Sequence, residues 1–253
     1  MHTIDMINLL NPHFWSYFVY GAFVVALAFY VRATIGFGSG LISVSLLSLT
    51  FPIKEVVPVV LILDLAGSIL LGAYDFSHIR FKELTWLFPG SIIGLIIGTF
   101  ILAKTDAQNI TRFLGVFIIS YVIYAVSFKP EKLPIIRKFW AFPLGMLAGI
   151  IGSLYGGGGP PLVAYLQLRR IEKRAFRATF QVIALLDNIL RVFTYLSVGL
   201  LNLKLFEIGL SLIPFASLGL FGGNKLHMKI SNETFMRLTL LFLFLIGVKY
   251  LIQ

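Results

Sequence analysis

Four ionisable side chains interrupt otherwise apolar stretches of this 253-residue chain: Arg32, Asp64, Asp187 and Arg191. At the centre of a membrane-inserted segment each would cost about 2.5–3.5 kcal/mol, so side chains of this kind mark binding or charge exchange. Arg32 could supply positive charge to an anionic substrate, or it could pair with a carboxylate and hold the fold. Asp64 and Asp187 could take up and release protons during a transport cycle. Arg191 stands four residues after Asp187, on the same helix face, where it could neutralise that carboxylate. The pair is then either structural or part of a substrate or proton site. Asp64 has no such local partner, and Arg32 is the candidate for it. Asn188, Gln181, Thr34 and Tyr155 are polar neighbours that could line a cavity.

Two glycine clusters lie beside these charges: GFGSG at 36–40 and GGGGPP at 156–161. Glycine leaves its backbone amide unshielded, and a proline pair bars helix through the break. Gly36, Gly38, Ser39 and Gly40, with Gly156, Gly157, Gly158, Gly159 and Pro160, could therefore present N–H groups to a small anion. A short helix following each break would add the partial positive charge of its N-terminus. Gly90, Gly94 and Gly98 are spaced by four and read instead as a surface for close helix packing.

Composition sets the environment in which these groups must act. Apolar residues make up 58% of the chain and charged residues 13%, with a mean hydropathy of +0.92. A soluble domain carries about a quarter charged residues, so an ordinary soluble enzyme is excluded, as is a disordered chain. There is no cysteine, which removes thiol catalysis and thiolate metal sites. His2, His13, His78 and His227 form no H-E-x-x-H, so no metal site is expected, and the absence of G-x-x-x-x-G-K-[ST] argues against direct use of ATP. No cofactor is expected. The formal charge of +10 is spread between apolar runs, the distribution that membrane insertion selects, and no nucleic-acid partner is expected. The stretch RRIEKRAFR at 169–177 reads as a loop at the lipid headgroups. The opening segment lacks the basic flank of a cleaved signal peptide, so the first apolar run is expected to stay. The 24 phenylalanines read as lipid-facing and packing surface.

The elements that must position the charges are apolar runs at about 14–34, 40–51, 56–74, 84–103 and 110–128, then 139–155, 162–168, 178–199, 206–223 and 234–252. A crossing takes about 20 residues, so the second run of each set is too short to span alone. Each follows a glycine cluster, which predicts a broken or re-entrant helix. The two sets keep a steady offset: Gly38 and Gly158 lie 120 apart, Asp64 and Asp187 123, Lys82 and Lys204 122, Pro89 and Pro214 125. This predicts an internal repeat, with 1–128 as the first unit, 129–138 as a cytoplasmic linker and 139–253 as the second.

Charge orients the repeats. If each broken pair enters and leaves by one side, that side carries Arg80, Lys82, Lys129, Lys132, Arg137, Lys138, Arg169, Arg170, Lys173, Arg174, Arg177, Lys225, Lys229 and Arg237, fourteen in all. The other side carries Lys54, Lys104, Arg112, Lys204 and Lys249, five in all. Lys and Arg collect on the cytoplasmic side. The expected fold is thus an all-α membrane protein, a polytopic helical bundle of two inverted repeats. Each repeat would hold a glycine-broken hairpin and three full spans, with both termini outside.

The glycine stretches and their duplication resemble the sulfite exporter TauE/SafE family of membrane permeases. The resemblance runs from about Tyr20 to the end and is carried by Gly36–Gly40 and by Gly152, Gly156, Gly157, Gly158, Gly159 and Pro160. It implies about eight transmembrane helices by the family's usual counting, and a multi-pass place in the bacterial cytoplasmic membrane. It also implies transport of a small, sulfur-containing or organic anion such as sulfite, a sulfonate or a carboxylate. The residues themselves favour a secondary transporter, with the lipid bilayer and a small anionic substrate as partners and alternating access coupled to protons. Two other classes fit less of the pattern. A channel or accessory subunit would need a continuous polar lining, and an intramembrane aspartyl enzyme would need a catalytic motif around Asp64 and Asp187.

Overall fold

The computed structural model describes residues 12–72, 78–127, 134–156, 158–225 and 232–252. Gly157, Lys129, Lys132 and Lys229 lie outside them. The described residues form ten α-helices and no strand: α1 (Pro12–Ile35), α2 (Ser39–Leu47), α3 (Ile53–Gly72), α4 (Phe81–Lys104), α5 (Ala107–Ser127), α6 (Ala141–Tyr155), α7 (Gly159–Leu168), α8 (Lys173–Ser197), α9 (Leu203–Lys225) and α10 (Asn232–Ile252). A 3-10 turn, Lys138–Trp140, leads into α6. Each apolar run has become one helix.

Six of them are long and apolar enough to cross a bilayer: α1, α4, α5, α6 with its leading turn, α8 and α9. With large apolar side chains exposed along them, such as Phe23, Phe100, Phe193 and Phe221, these helices meet hydrocarbon on one side and protein on the other. The protein is a multi-pass membrane protein. The two helices after the glycine clusters are short, nine residues in α2 and ten in α7. At about 1.5 Å per residue neither reaches much beyond half of a ~30 Å hydrocarbon core.

Packing partners are exchanged between the first five helices and the last five. α1 lies along α9 and α6 along α4, so the opening helix of each set packs on the fourth helix of the other. α3 faces α8, and α5 faces α10. Without a hydrophobic force between helices in lipid, such contacts depend on close van der Waals approach. The glycines supply it. At Gly90, Gly94 and Gly98 of α4 a methyl group would run into the backbone of Phe142, Met146 and Ile150 on α6. From the other side, Gly145 and Gly149 of α6 meet the carbonyls of Leu87 and Ser91. The expectation that Gly90, Gly94 and Gly98 serve packing holds. Gly219 and Gly223 play the same part for α9 against Ala26 and Tyr30 of α1.

Candidate functional site

Both helix breaks come to the middle of the bundle. α1 ends where Gly36 turns left-handed at φ 100°, and Gly38 repeats that angle before α2 starts. α6 ends at Gly156, φ 67°. The breaks touch: a methyl group on Gly40 would overlap the Gly156 carbonyl and lie 2.7 Å from Asp64 Oδ2. Only glycine allows that approach. Beside this contact lies a cavity of about 90 Å³. A water's share of liquid is ~30 Å³, so the space suits several waters or one small anion. Its wall takes Gly38, Ser39 and Gly40 from the first break, Gly156, Gly158, Gly159 and Pro160 from the second, and Gly149 and Gly152 from α6. Arg32, Asp64, Asp187, Asn188, Arg191, Tyr121 and Thr239 add polar groups, and Phe37, Leu95 and Phe180 apolar ones.

The two breaks differ in what they offer an anion. A helix's first N–H groups have no partner within the helix. In α2 the residues there are Ser39, Gly40 and Leu41, all at the cavity wall. In α7 two of the first three residues are Pro160 and Pro161, which start a helix well but carry no N–H. The second break therefore presents fewer amides than its glycine count suggests, and the anion cradle is weighted toward α2.

Arg32 is the best-bonded charge in the site. Its Nη1 donates to Asp64 Oδ1 at 3.1 Å and its Nη2 to Ser68 Oγ at 2.8 Å, with a further bond to Gln181 Oε1 at 3.3 Å. Ser39 donates to the same Asp64 oxygen at 2.6 Å. Arg32 and Asp64 are 4% and 5% exposed, so this is a buried ion pair tying α1, α2 and α3 together. The sequence-based alternative that Arg32 pairs with a carboxylate is the one realised.

Arg191 is different. It is 3% exposed and lines the cavity, yet no carboxylate among the described residues lies within ion-pair distance of it. Its Nη1 donates to Asn188 Oδ1 at 3.3 Å and its Nη2 to Tyr195 Oη at 3.4 Å, and the guanidinium sits 5.5 Å from the Tyr195 ring centre. Its buried Nε has no partner. The expected Asp187–Arg191 pair is not formed. Asp187 Oδ2 accepts from Ser91 on α4 at 2.6 Å, while its Oδ1 is buried without a partner. Packing decided this, because α4 also lies against α8 and puts Ser91 beside Asp187. Nor do Asp64 and Asp187 share a hydrogen bond, as a catalytic aspartyl pair would.

A model of the sulfite exporter TauE/SafE family matches residues 21–250. The chain belongs to the TauE/SafE family. It is also 25% identical over 169 residues to the "Probable inner membrane transporter protein TsaS" of Comamonas testosteroni, covering 66% of this chain and 70% of that protein. To the "Probable membrane transporter protein YtnM" of Bacillus subtilis (strain 168) it is 29% identical over 164 residues, covering 59% of this chain and 53% of that one. No solved structure matches the chain. This TauE/SafE protein is a membrane transporter of the cell membrane.

Not every expected cavity residue of this TauE/SafE transporter faces the cavity. Asn188 does, and its Nδ2 also donates to Ser68 at 3.3 Å, linking the Arg32 and Arg191 networks. Gln181 stands behind the wall, between Arg32 and the Gly36 carbonyl at 3.3 Å. Gly36 is likewise outside the wall. Thr34 turns back to the Val31 carbonyl of its own helix at 2.8 Å. Tyr155 faces α5 instead, stacked on Phe117 with its hydroxyl 3.4 Å from the Ile110 carbonyl. Five polar contributors were missed: Ser68, Ser91, Tyr121, Tyr195 and Thr239. Only Tyr195 had a local signal, its place four residues after Arg191 on α8. Tyr195 also donates to the Ser153 carbonyl, which fixes Arg191's partner against α6.

Proposed function

We propose that this transporter carries a small anion, such as sulfite, a sulfonate or a short carboxylate, through the cavity where the two glycine breaks meet. The observation that carries this reading is Arg191, a buried guanidinium at the cavity wall with no carboxylate in contact and one N–H unused. A buried charge with no carboxylate bonded to it is costly, and an anion in the cavity relieves that cost. Arg32, already neutralised by Asp64, holds the wall in place. The α2 amides and the modest volume support the same class of ligand. The family's name speaks of sulfite, which fits the size.

The exchanged packing supports two inverted units, 1–128 and 139–253 joined by 129–138, and secondary transport by alternating access coupled to protons. Because each unit's opening helix lies on the other unit, the bodies that shift are the α1–α9 and α4–α6 pairs rather than the halves of the sequence. The test is thermal stability of the purified protein in detergent with sulfite, sulfate, thiosulfate, short sulfonates and short carboxylates at matched ionic strength. A ligand at about 100 times its Kd stabilises by ~2.7 kcal/mol. One anion should raise the melting temperature of the wild type and not of a folded Arg191→Gln variant. A shift that survives Arg191→Gln removes the assignment.

A further inference from the structure

We infer that Asp187 is the carboxylate that carries the coupled proton, at a place where the second half of the chain lacks the arginine that fixes Asp64 in the first. The inference rests on the proposed function for what the proton is coupled to, and on geometry alone for where the proton sits.

The two aspartates occupy comparable places on α3 and α8, and both line the cavity. Arg32 is the residue whose carbonyl accepts the N–H of the glycine closing α1, Gly36, at 2.7 Å. The residue in that position on α6 is Gly152, whose carbonyl accepts the N–H of Gly156 at 2.9 Å. Gly38 and Gly158 are 120 residues apart, and so are Arg32 and Gly152. Where the first half has a guanidinium bonded to its aspartate, the second half has a hydrogen atom and cavity space. A methyl group at Gly152 would meet only ordinary contacts, at 3.6 Å and beyond.

Among the described residues no cation bonds Asp187 in the place of the missing arginine. On its own helix is Arg191, engaged with Asn188 and Tyr195. Across the cavity are Arg32 from α1 and Asp64 from α3, bonded to each other, and Tyr121 from α5. On α4 the nearest ionisable group to Ser91 is Glu83, held by Tyr165 of α7 and by Arg169 at 3.1 Å. Ser91 donates to Asp187 Oδ2 and leaves Oδ1 for the proton. Loading adds one proton to Oδ1 and neutralises Asp187 itself, and release to the other side restores the carboxylate. Asp64, by contrast, has Arg32 and Ser39 on one oxygen.

The direct test is infrared difference spectroscopy of the purified protein stepped between about pH 4 and 9, a range that brackets perturbed carboxyl groups. A protonated-carboxyl C=O band that titrates in the wild type should vanish in Asp187→Asn. It should also vanish in Gly152→Arg, which returns a guanidinium to the matched place, and persist in Gly152→Ala. No titrating band in the wild type overturns the inference, as does a band that persists in Asp187→Asn, or one that sodium at fixed pH abolishes. Proteoliposomes with a trapped pH dye then separate the two readings. Imposed gradients of sulfate or a short alkanesulfonate, which carry no proton of their own at neutral pH, should drive proton movement lost in Asp187→Asn. Equal proton movement in the variant overturns the role of Asp187 and leaves anion transport standing. No movement under any anion gradient, with the infrared result as expected, overturns the anion reading and leaves the proton site.

Discussion

Replacing Asp64 by Asn leaves the Arg32 guanidinium buried at 4% exposure with its counter-charge gone. At 3.1 Å and an effective dielectric of about 20, the lost attraction is about 5 kcal/mol. Arg32 keeps its bonds to Ser68, Ser39 and Gln181, which soften the loss. The expected destabilisation is about 3–5 kcal/mol, the range for breaking one side of a buried pair. Arg32→Gln should cost about as much, because Asp64 then depends on Ser39 alone for its charged oxygen. The double variant removes both buried charges and should be more stable than the sum of the singles implies, by about 2–3 kcal/mol. Asp187→Asn breaks no ion pair, and an amide oxygen can still accept from Ser91, so its cost should stay within about 1 kcal/mol. Unfolding midpoints of the wild type and the four variants in one detergent, followed by circular dichroism through a denaturant titration, supply the comparison. Strictly additive losses in the cycle, or an Asp187→Asn as damaging as Asp64→Asn, would show that the pair does not brace the fold.

Other perturbations address packing and selectivity. Gly94→Val places a side chain in the Met146 backbone and should lower stability by ~3 kcal/mol or prevent folding, whereas Gly21→Ala, with nothing within 4 Å, should leave the melting temperature equal or higher. Glu83→Gln weakens the bond from Arg169 and should cost about 1.5–3 kcal/mol in the same unfolding assay, with anion-induced stabilisation retained. Phe37→Ala uncovers Gly159 at the cavity wall, so larger sulfonates should gain relative to sulfite in competition binding; unchanged selectivity would place the size filter elsewhere.

Local pattern made most of the helices readable. Apolar length marked them, and the glycine clusters marked the two breaks to within a few residues, because left-handed turns and missing amides are written in residue type. What stayed hidden was which distant side chains meet. Arg191 and Asp187 share a helix face, yet Ser91, nearly a hundred residues away, takes the carboxylate, and nothing local in a serine on a glycine-spaced face announces that. Glu83, Tyr165 and Arg169 looked like ordinary residues near the ends of apolar runs, whereas the ends of α4 and α7 converge and bury the glutamate. Arg32 drew attention as the lone cation of its segment, and only the placement of α3 showed that its charge was spoken for.

The exchanged helices also impose an order on biogenesis. α1 is complete by Ile35, but α9 does not begin until Leu203, about 170 residues later. At roughly 5–20 residues per second, synthesis leaves α1 without its main neighbour for roughly ten to thirty seconds. Val25, Ala28 and Phe29, fully covered in the finished protein, spend that interval against lipid or the insertion machinery. Asp64 arrives with α3, two helices on, so the bond to Arg32 can clasp α1 to α3 long before α9 is made. The ion pair then serves as a temporary brace on the nascent chain as well as a permanent one, and a ribosome-stalled chain ending after α5 should already contain it.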